Sequence, residues 1–331
     1  MSAPDRVLPG RRHILLGAAG LAGAFGLGGI AAFRAAAASR GLALRTRAGL
    51  AFGTTVALTA AGRDSATIEA ALTHGFAAMR SVEAAASLFR TDSALARLNR
   101  DGVLEAPDPH LVALLRFALT LAAETDGAFD PTVQPLWPVW AEAAARRERP
   151  GDAALRAALD RVGWRRVQVE RTRIVLEPGT ALTLNALIQG YAADQVMAAL
   201  RGHGIGDAFV DTGEFGALGT HPDGTPWRLG LADPRDPGAL AAVIAPFTGF
   251  AATSGDYNMS FSDDRADHHI FDPATGRSPG GLASVTVTAP TGLEADGLST
   301  ACMVLGRERG ARLGVAHPGC AVRFVDKPRV T

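Results

Sequence analysis

The sequence has little lysine and cysteine and no excess of charge of either sign. Its 33 Lys plus Arg balance 33 Asp plus Glu among 331 residues, so electrostatic attraction to nucleic acid is not expected. Lys327 is the only lysine, which leaves almost no candidate for Schiff-base chemistry or a phosphate-binding P-loop. Cys302 and Cys320 are too few for a disulfide scaffold or a four-thiolate zinc site, and their redox state stays open.

The hydrophobic pattern predicts a folded protein with both helices and strands. Apolar residues make up 47% of the chain and charged residues 20%, a composition typical of a globular protein. Apolar residues recur at steps of three and four over Ile68–Val82 and Leu111–Ala122, and this spacing predicts two helices. A further helix is predicted over Gln189–Arg201. The Pro- and Arg-rich stretch Arg146–Gly151 is predicted to be a boundary or a long loop.

Short β-branched and apolar runs predict strands and one hairpin. The predicted strands are Phe52–Thr59, Val167–Val169 paired with Arg173–Leu176, Ala208–Val210, Arg228–Leu231, Val243–Ala245, Val285–Thr288 and Val322–Val325. Because the strands cluster without regular βαβ alternation, we predict an α+β fold with a largely antiparallel sheet and packed helices.

The first 38 residues have the order of an export signal. Arg11 and Arg12 precede an uncharged stretch at 14–33, which then meets Arg34 and small residues. The stretch is mostly Ala and Gly, so it would anchor weakly in a membrane. Paired arginines before such a core resemble a twin-arginine signal. An ordinary signal or a single membrane helix is the alternative.

We therefore predict a signal segment at residues 1–38 and one domain over residues 39–331. The protein is expected to meet the export machinery and to reach the periplasm, with its leader cleaved or weakly retained in the membrane.

Near the start of a predicted apolar helix, a residue with a carboxyl side chain and a residue with a hydroxyl side chain lie four positions apart. Asp296 and Thr300 would share one face of its first turns. A carboxylate with a hydroxyl suits Mg²⁺, especially when a substrate phosphate completes the shell. Capping of the helix by Asp296 is the alternative.

Adjacent histidines precede an Asp-Pro turn in Asp267–Gly276. A histidine with an ordinary pKa can accept a proton from an attacking hydroxyl, although a pair in a loop is also typical of solvated surface. The nearby Gly276–Gly280 fits the Gly-x-Ser-x-Gly hydrolase pattern by its letters. Pro279 removes the backbone N–H that the oxyanion hole of such a hydrolase requires, which excludes that class.

Three further clusters combine hydroxyls, glycines and an aromatic residue: Phe52–Thr55, Gly127–Thr132 and Thr253–Tyr257. Each is typical of an ordinary loop. Each also suits phosphate binding through hydroxyl and N–H groups, with an aromatic ring available to cover a planar ligand.

Taken together and in order, these segments resemble the FAD:protein FMN transferase family, also called the ApbE family, from about Phe52 to Val325. The motifs that carry the resemblance are Phe52–Thr55, Phe89–Ser93 with Leu98 and Asn99, Gly127–Thr132, Gly190–Asp194, Thr253–Tyr257, His269–Gly276 and Ala295–Thr300. The resemblance implies a T-fold-related α+β domain. It also implies Mg²⁺-dependent transfer of FMN from FAD to a threonine hydroxyl of a target flavoprotein, with release of AMP.

The resemblance implies a role for each matching position. Asp296 and Thr300 would bind Mg²⁺ by their side chains, joined by the backbone carbonyl of Ala186, with Asp296 also counted as catalytic. His269 would be the catalytic histidine near the attacking hydroxyl. The implied FAD-binding residues are Phe52, Gly53, Thr54, Asp130, Thr132, Glu214, Thr253, Asp256 and Tyr257.

The sequence also departs from the family pattern. The usual Asp-Leu-Gly-Ala-Ile-Ala-Lys-Gly is Thr183–Gly190 here, with Gln189 in place of the lysine; Glu214 replaces a glycine and Phe52 a methionine. These variants resemble the NosX branch, which implies a NosR-like membrane flavoprotein of nitrous-oxide respiration as the target. The lost carboxylate and cation leave two alternatives open, a non-catalytic FAD-binding assembly factor and an FAD pyrophosphatase.

Overall fold

A seven-stranded antiparallel sheet is the framework of the computed structural model, which describes residues 38–236 and 238–327. Its strands are β1 (Ala43–Ala51), β2 (Thr54–Gly62), β6 (Asp207–Asp211), β7 (Phe215–Leu218), β10 (Gly249–Gly255), β11 (Leu282–Ala289) and β12 (Ala321–Asp326), in the spatial order β1-β2-β6-β7-β10-β11-β12. The predicted α+β class with a largely antiparallel sheet is confirmed.

Two small sheets accompany the large one. The first has the spatial order β3-β5-β4, and the second pairs β8 with β9. Their strands are β3 (Val103–Glu105), β4 (Val167–Val169), β5 (Arg173–Leu176), β8 (Leu229–Ala232) and β9 (Leu240–Ile244). The predicted hairpin is therefore confirmed as β4 and β5, whose register pairs Val169 with Ile174.

The predicted opening strand is wrong at its start. Phe52 and Gly53 form a two-residue turn between β1 and β2, with φ of 53° and 72°, as a type I′ hairpin turn requires. The backbone N–H of Phe52 donates to the Glu83 carboxylate at 2.7 Å, which ties this turn to the neighbouring helix. The hydrophobic pattern missed β1 because its arginines and glycine give no apolar alternation.

Helices cover the sheet and enclose the main hydrophobic core. They are α1 (Ser65–Ala86), α2 (Ala94–Asp101), α3 (Pro109–Glu124), α4 (Leu136–Ala145), α5 (Asp152–Leu159), α6 (Ile188–Gly202) and α7 (Gly292–Ala316). Residues of the predicted helical stripes, such as Leu72, Met79 and Leu115, are fully buried, so both stripes are confirmed as core. The stretch Arg146–Gly151 is a connection between α4 and α5.

The described helices do not include one with the length and hydropathy that a membrane span requires. Residues 1–37, which hold nearly all of the predicted export signal, lie outside the described residues. The signal segment and the domain boundary at residue 38 therefore stay predictions.

Helices α6 and α7 cross at their first turns through a pair of glycines. A methyl group on Gly190 would overlap the carbonyl oxygen of Gly292, and one on Gly292 would overlap the carbonyl oxygen of Gly190. Backbone therefore touches backbone at this crossing, which only residues without a Cβ permit. The crossing brings the starts of both helices to one place.

We expect Gly190→Ala to destabilise the fold by about 3 kcal/mol, because the added carbon forces the two backbones apart. Gly202→Ala, on the same helix with open space around it, is the matched control and should be neutral or slightly stabilising. Chemical denaturation of both variants and the native chain checks this. Equal midpoints for the two variants would contradict the close crossing.

Candidate active site

Each of the crossed helices places a carboxylate on the first turn of the other. Asp194 of α6 accepts hydrogen bonds from the backbone N–H groups of Gly292 and Leu293, at 2.7 and 2.9 Å. Asp296 of α7 accepts one from the N–H of Gly190 at 2.9 Å. The first turns of helices carry unsatisfied N–H groups and partial positive charge, so the two acids cap the two helices reciprocally.

The alternative that Asp296 caps its own helix is wrong. Thr291 is the N-cap of α7, and its hydroxyl accepts from the N–H of Glu294 at 3.2 Å. Helix α6 begins after Leu187, which makes no side-chain capping bond. Asp296 therefore satisfies a donor of a different helix, more than a hundred residues away along the chain, and its carboxylate is held at the crossing.

Four acidic side chains influence one another around this crossing. Burial raises the pKa of Asp194 and of Asp211 to about 6. Burial also raises the pKa of Asp296 to about 7, and the charge of Asp194 adds to the effect. The pKa of Glu214 is raised well above its usual range by burial and by the charge of Asp296. The cluster therefore resists full ionisation, and a bound cation would relieve it.

Hydroxyl groups continue the polar surface along α7. Asp296 and Thr300 lie four residues apart on the helix, as predicted. The Thr300 hydroxyl lies 2.8 Å from the hydroxyl of Ser254, which is also 2.8 Å from that of Ser299. Strand β10 thus meets the helix face through these hydroxyls, next to the buried carboxylate.

The predicted Mg²⁺ donors are the side chains of Asp296 and Thr300 and the backbone carbonyl of Ala186. Ala186 lies two residues before α6. In a longer helix the N–H of Gly190 would donate to the carbonyl of Ala186. Here that N–H donates to Asp296 instead. Carboxylate, hydroxyl and carbonyl oxygens are the ligands that Mg²⁺ prefers, so the chemistry of the set fits. Across residues 38–236 and 238–327, no three His, Cys, Asp or Glu side chains form a metal-binding group.

The strand ends place other predicted residues at the same edge of the sheet. Ala57 pairs with Asp211, so the turn of Phe52 and Gly53, with Thr54 at the start of β2, lies beyond the carboxyl end of β6. Asp211 also pairs with Phe215 of β7. Glu214, the residue before Phe215, therefore lies at this edge as well. The Glu214 carboxylate accepts from the N–H of Thr253 at 3.1 Å, which links the turn between β6 and β7 to β10. One edge thus carries residues of the motifs Phe52–Thr55 and Thr253–Tyr257 together with Glu214.

Tyr257 and Asp256 follow β10 at this edge. Burial raises the pKa of Tyr257 to about 12, with the charge of Glu214 as the next cause. The Asp256 carboxylate is fully buried and holds Arg235 through two bonds, of 2.8 and 2.7 Å. Lys327 lies 3.5 Å from the same carboxylate. Asp256 is thus part of an ion-pair network.

The predicted site residues do not include Arg235 and Lys327, which form the ion pairs with Asp256 at this edge. Lys327 is the only lysine in the sequence. This singularity could have marked it as a candidate for a specific ion pair. Nothing in the local pattern around Arg235 points to Asp256, which lies 21 residues further on.

The structure distinguishes the two adjacent histidines. His268 is fully buried, lies 3.2 Å through Nε2 from the Pro279 carbonyl oxygen, and has its pKa lowered by burial to about 4. His269 is partly exposed, and its Nδ1 lies 3.0 Å from the carbonyl oxygen of Met259. A carbonyl only accepts, so in neutral His269 the Nδ1 carries the hydrogen and Nε2 the lone pair.

Asp130 and Thr132 are engaged by the protein itself. The Asp130 carboxylate accepts from the N–H and hydroxyl of Thr132 and from the N–H of Trp164, at 2.6 to 2.8 Å. The Thr132 hydroxyl also accepts from the N–H of Gly163 at 2.7 Å. These bonds give both residues a structural role in the described fold, and their role in FAD binding stays a prediction.

Carboxylates, hydroxyls and backbone N–H groups thus come together where α6, α7 and β10 meet. The family model described as the ApbE family matches residues 52–324, and the chain belongs to this family.

Similar proteins from two organisms are both named FAD:protein FMN transferase. The FAD:protein FMN transferase of Treponema pallidum is 33% identical over 286 residues, which cover 80% of this chain and 79% of that protein. The enzyme of the same name from Salmonella typhimurium is 35% identical over 257 residues, covering 73% and 72%. The resemblance stated from the motifs is therefore confirmed.

Solved structures agree with the sequence comparison. The flavin transferase ApbE from Vibrio cholerae superposes with a TM-score of 0.76 at 29% identity, covering 87% of this chain and 94% of that one. The apo form of the flavinyl transferase ApbE from Pseudomonas stutzeri superposes with a TM-score of 0.74 at 30% identity, covering 87% and 92%. The predicted ApbE-like fold is confirmed.

The acidic cluster predicts a pH-dependent effect of Asp211→Asn in chelator-treated protein. The pKa of Asp211 is about 6 in the folded chain and about 4 when unfolded. Between these values the folded state binds more protons, so Asp211 stabilises less as pH rises. Asn keeps the acceptor for the N–H of Gly213 without this loss. Relative to native protein, the free energy of unfolding of the variant should rise by about 2 kcal/mol between pH 4 and pH 7.

Urea denaturation at several pH values measures this gain. Asp160→Asn, at an exposed position, is the matched control and should differ from native protein by a nearly constant amount. A difference for Asp211→Asn that stays constant with pH would show that the carboxyl is not desolvated.

Proposed function

We propose that this chain catalyses Mg²⁺-dependent transfer of FMN from FAD to a threonine hydroxyl of a target flavoprotein, with AMP as the leaving group. The observation that carries the proposal is the placement of Asp296 and Thr300 on one helix face, fixed by the bond from Gly190, in a chain of the ApbE family. The names of the curated relatives support FAD as donor and a protein as acceptor.

The reaction exchanges one phosphorus–oxygen bond for another. The threonine oxygen bonds to the phosphorus of the FMN half of FAD, and the bond from that phosphorus to the AMP oxygen breaks. The threonine proton must go to a base, and Nε2 of neutral His269 has the lone pair to accept it, because the Met259 carbonyl holds the hydrogen at Nδ1. Positioning and electrostatics supply most of the catalysis in such transfers.

The charge of the substrate and of the acidic cluster supports the proposed use of a divalent cation. The FAD diphosphate is anionic, and the ionised members of the cluster around Asp296 would repel it. Arg235 and Lys327 are paired with Asp256. When bound, Mg²⁺ would neutralise charge on the diphosphate, and Asp296, Thr300 and the carbonyl of Ala186 are the residues to hold it.

We further propose that the enzyme works in the periplasm. The support is the order of paired arginines, uncharged stretch and small residues in the leader at 1–38. The departures at Gln189 and Glu214 support a NosR-like membrane flavoprotein as the target. Its acceptor threonine would have to reach the sheet edge that carries Glu214 and Thr253.

The proposal is tested by incubating the protein with FAD, Mg²⁺ and a threonine-bearing target domain, and by following covalent flavin fluorescence on the target. Asp296→Asn should lower labelling about 10²-fold, because it removes a charged metal ligand. His269→Asn should lower it at least 10²-fold, because it removes the base. The controls are Glu308→Gln, exposed on α7, and His317→Asn, a histidine paired with Glu124.

The alternative functions give different outcomes in the same assay. Rapid formation of free FMN and AMP without any target would indicate an FAD pyrophosphatase. Tight FAD binding that ignores Mg²⁺, survives His269→Asn and yields no labelled target would indicate an assembly factor. Either result would overturn the proposed transfer.

A further inference from the structure

Two histidines outside this site, 129 residues apart in the sequence, direct ring nitrogens at each other on the surface. His74 lies in α1, and His203 is the residue that ends α6. Nδ1 of His74 is 2.6 Å from Nε2 of His203, and the ring centroids are 4.6 Å apart with the planes tilted by 57°. Neither residue belongs to the motifs that define the transferase.

The packing beneath the pair fixes the two backbones. Gly75, next to His74, lies so close to its neighbours that a methyl group there would be 3.0 Å from a Leu58 methyl and 3.4 Å from one of Val196 in α6. The N–H of His203 donates to the carbonyl of Leu200 at 3.1 Å. The two imidazoles are therefore presented together by the fold, with freedom only in their side-chain torsions.

We infer that His74 and His203 form a binding site for a transition-metal ion, for which Zn²⁺ is the probe. Two imidazole nitrogens that lie 2.6 Å apart can both turn toward a single ion placed between them. A zinc–nitrogen distance of about 2.0 Å places two ligand nitrogens roughly 3 Å apart, so the pair needs to open by less than about 1 Å. Rotation about the side-chain bonds supplies such a change.

The ligand chemistry separates this site from the proposed Mg²⁺ site. Neutral imidazole suits Zn²⁺, Cu²⁺ and Ni²⁺, whereas Mg²⁺ prefers oxygen ligands. Within the described ranges no third His, Cys, Asp or Glu completes a metal-binding group, so water would fill the remaining positions. Protons compete with a metal ion for imidazole nitrogens, so binding should weaken as the pH falls.

A metal ion held here would join α1 to the end of α6, the helix that bears Gly190 and Asp194. Ions that bind the folded state and not the unfolded state stabilise the fold by mass action. The expected consequence is a melting temperature that rises with Zn²⁺ concentration, while transferase activity with Mg²⁺ is unaffected by replacement of either histidine.

The test is titration calorimetry of untagged protein with Zn²⁺ at pH 7.5, in saturating Mg²⁺ to occupy the oxygen site. Native protein should bind one Zn²⁺, and His74→Ala and His203→Ala should each weaken this binding at least 10-fold. The matched control His317→Ala, and Asp296→Asn in the proposed Mg²⁺ site, should leave it unchanged. Melting curves of the same proteins should show the Zn²⁺-dependent rise only where both His74 and His203 are present.

Three results would overturn the site. Native protein that binds no Zn²⁺ shows that the pair is only a hydrogen bond between side chains. Equal Zn²⁺ affinity in His74→Ala and native protein places the ion elsewhere. Loss of binding in Asp296→Asn assigns the ion to the carboxylate cluster.

Discussion

The site depends on the contact between the first turns of α6 and α7. Gly190 and Gly292 let the two backbones meet, and Asp194 and Asp296 each accept hydrogen bonds from the other helix. A buried carboxylate is costly unless its charge is compensated, and helix N-terminal N–H groups supply part of that compensation. The same bonds that satisfy the helix ends therefore also fix the carboxylate proposed to hold the metal.

Charge around this contact is balanced only in part. Asp256 is matched by Arg235 and Lys327, whereas Asp211, Glu214 and Asp296 have pKa values raised mainly by burial. The edge of the sheet is thus divided into a neutralised ion-pair network and an under-compensated acidic cluster. The proposed divalent cation at the acidic cluster would supply the positive charge that an anionic dinucleotide requires.

The departures from the family pattern are accommodated by backbone hydrogen bonds. The Gln189 amide donates to the carbonyl of Thr212 at 3.1 Å, and the Thr212 hydroxyl donates to the carbonyl of Gln189 at 2.8 Å. Gln189 thus ties α6 to the turn after β6, as a neutral side chain. Where the family pattern has a lysine, this neutral amide adds no positive charge beside the acidic cluster.

Local patterns were sufficient for many elements and for part of the site. The stripe from Ile68 to Val82, the hairpin of β4 and β5, and the shared face of Asp296 and Thr300 all follow from repeats of 3.6 or two residues. The missed strand β1 and the misplaced start at Phe52 show the limit, because pairing between strands carries no local signature when charged residues replace apolar ones.

By itself the sequence determined the longer amphipathic helices, the hairpin of β4 and β5 and the motifs that mark the family, because these are set by neighbours along the chain. Only the tertiary structure decided that Asp296 caps α6, that Asp256 holds Arg235 and Lys327, and that His268 is buried while His269 is partly exposed. These facts join residues from separate elements, up to 106 apart in the chain. Burial and charge at such contacts are properties of the packed fold, and no periodicity encodes them.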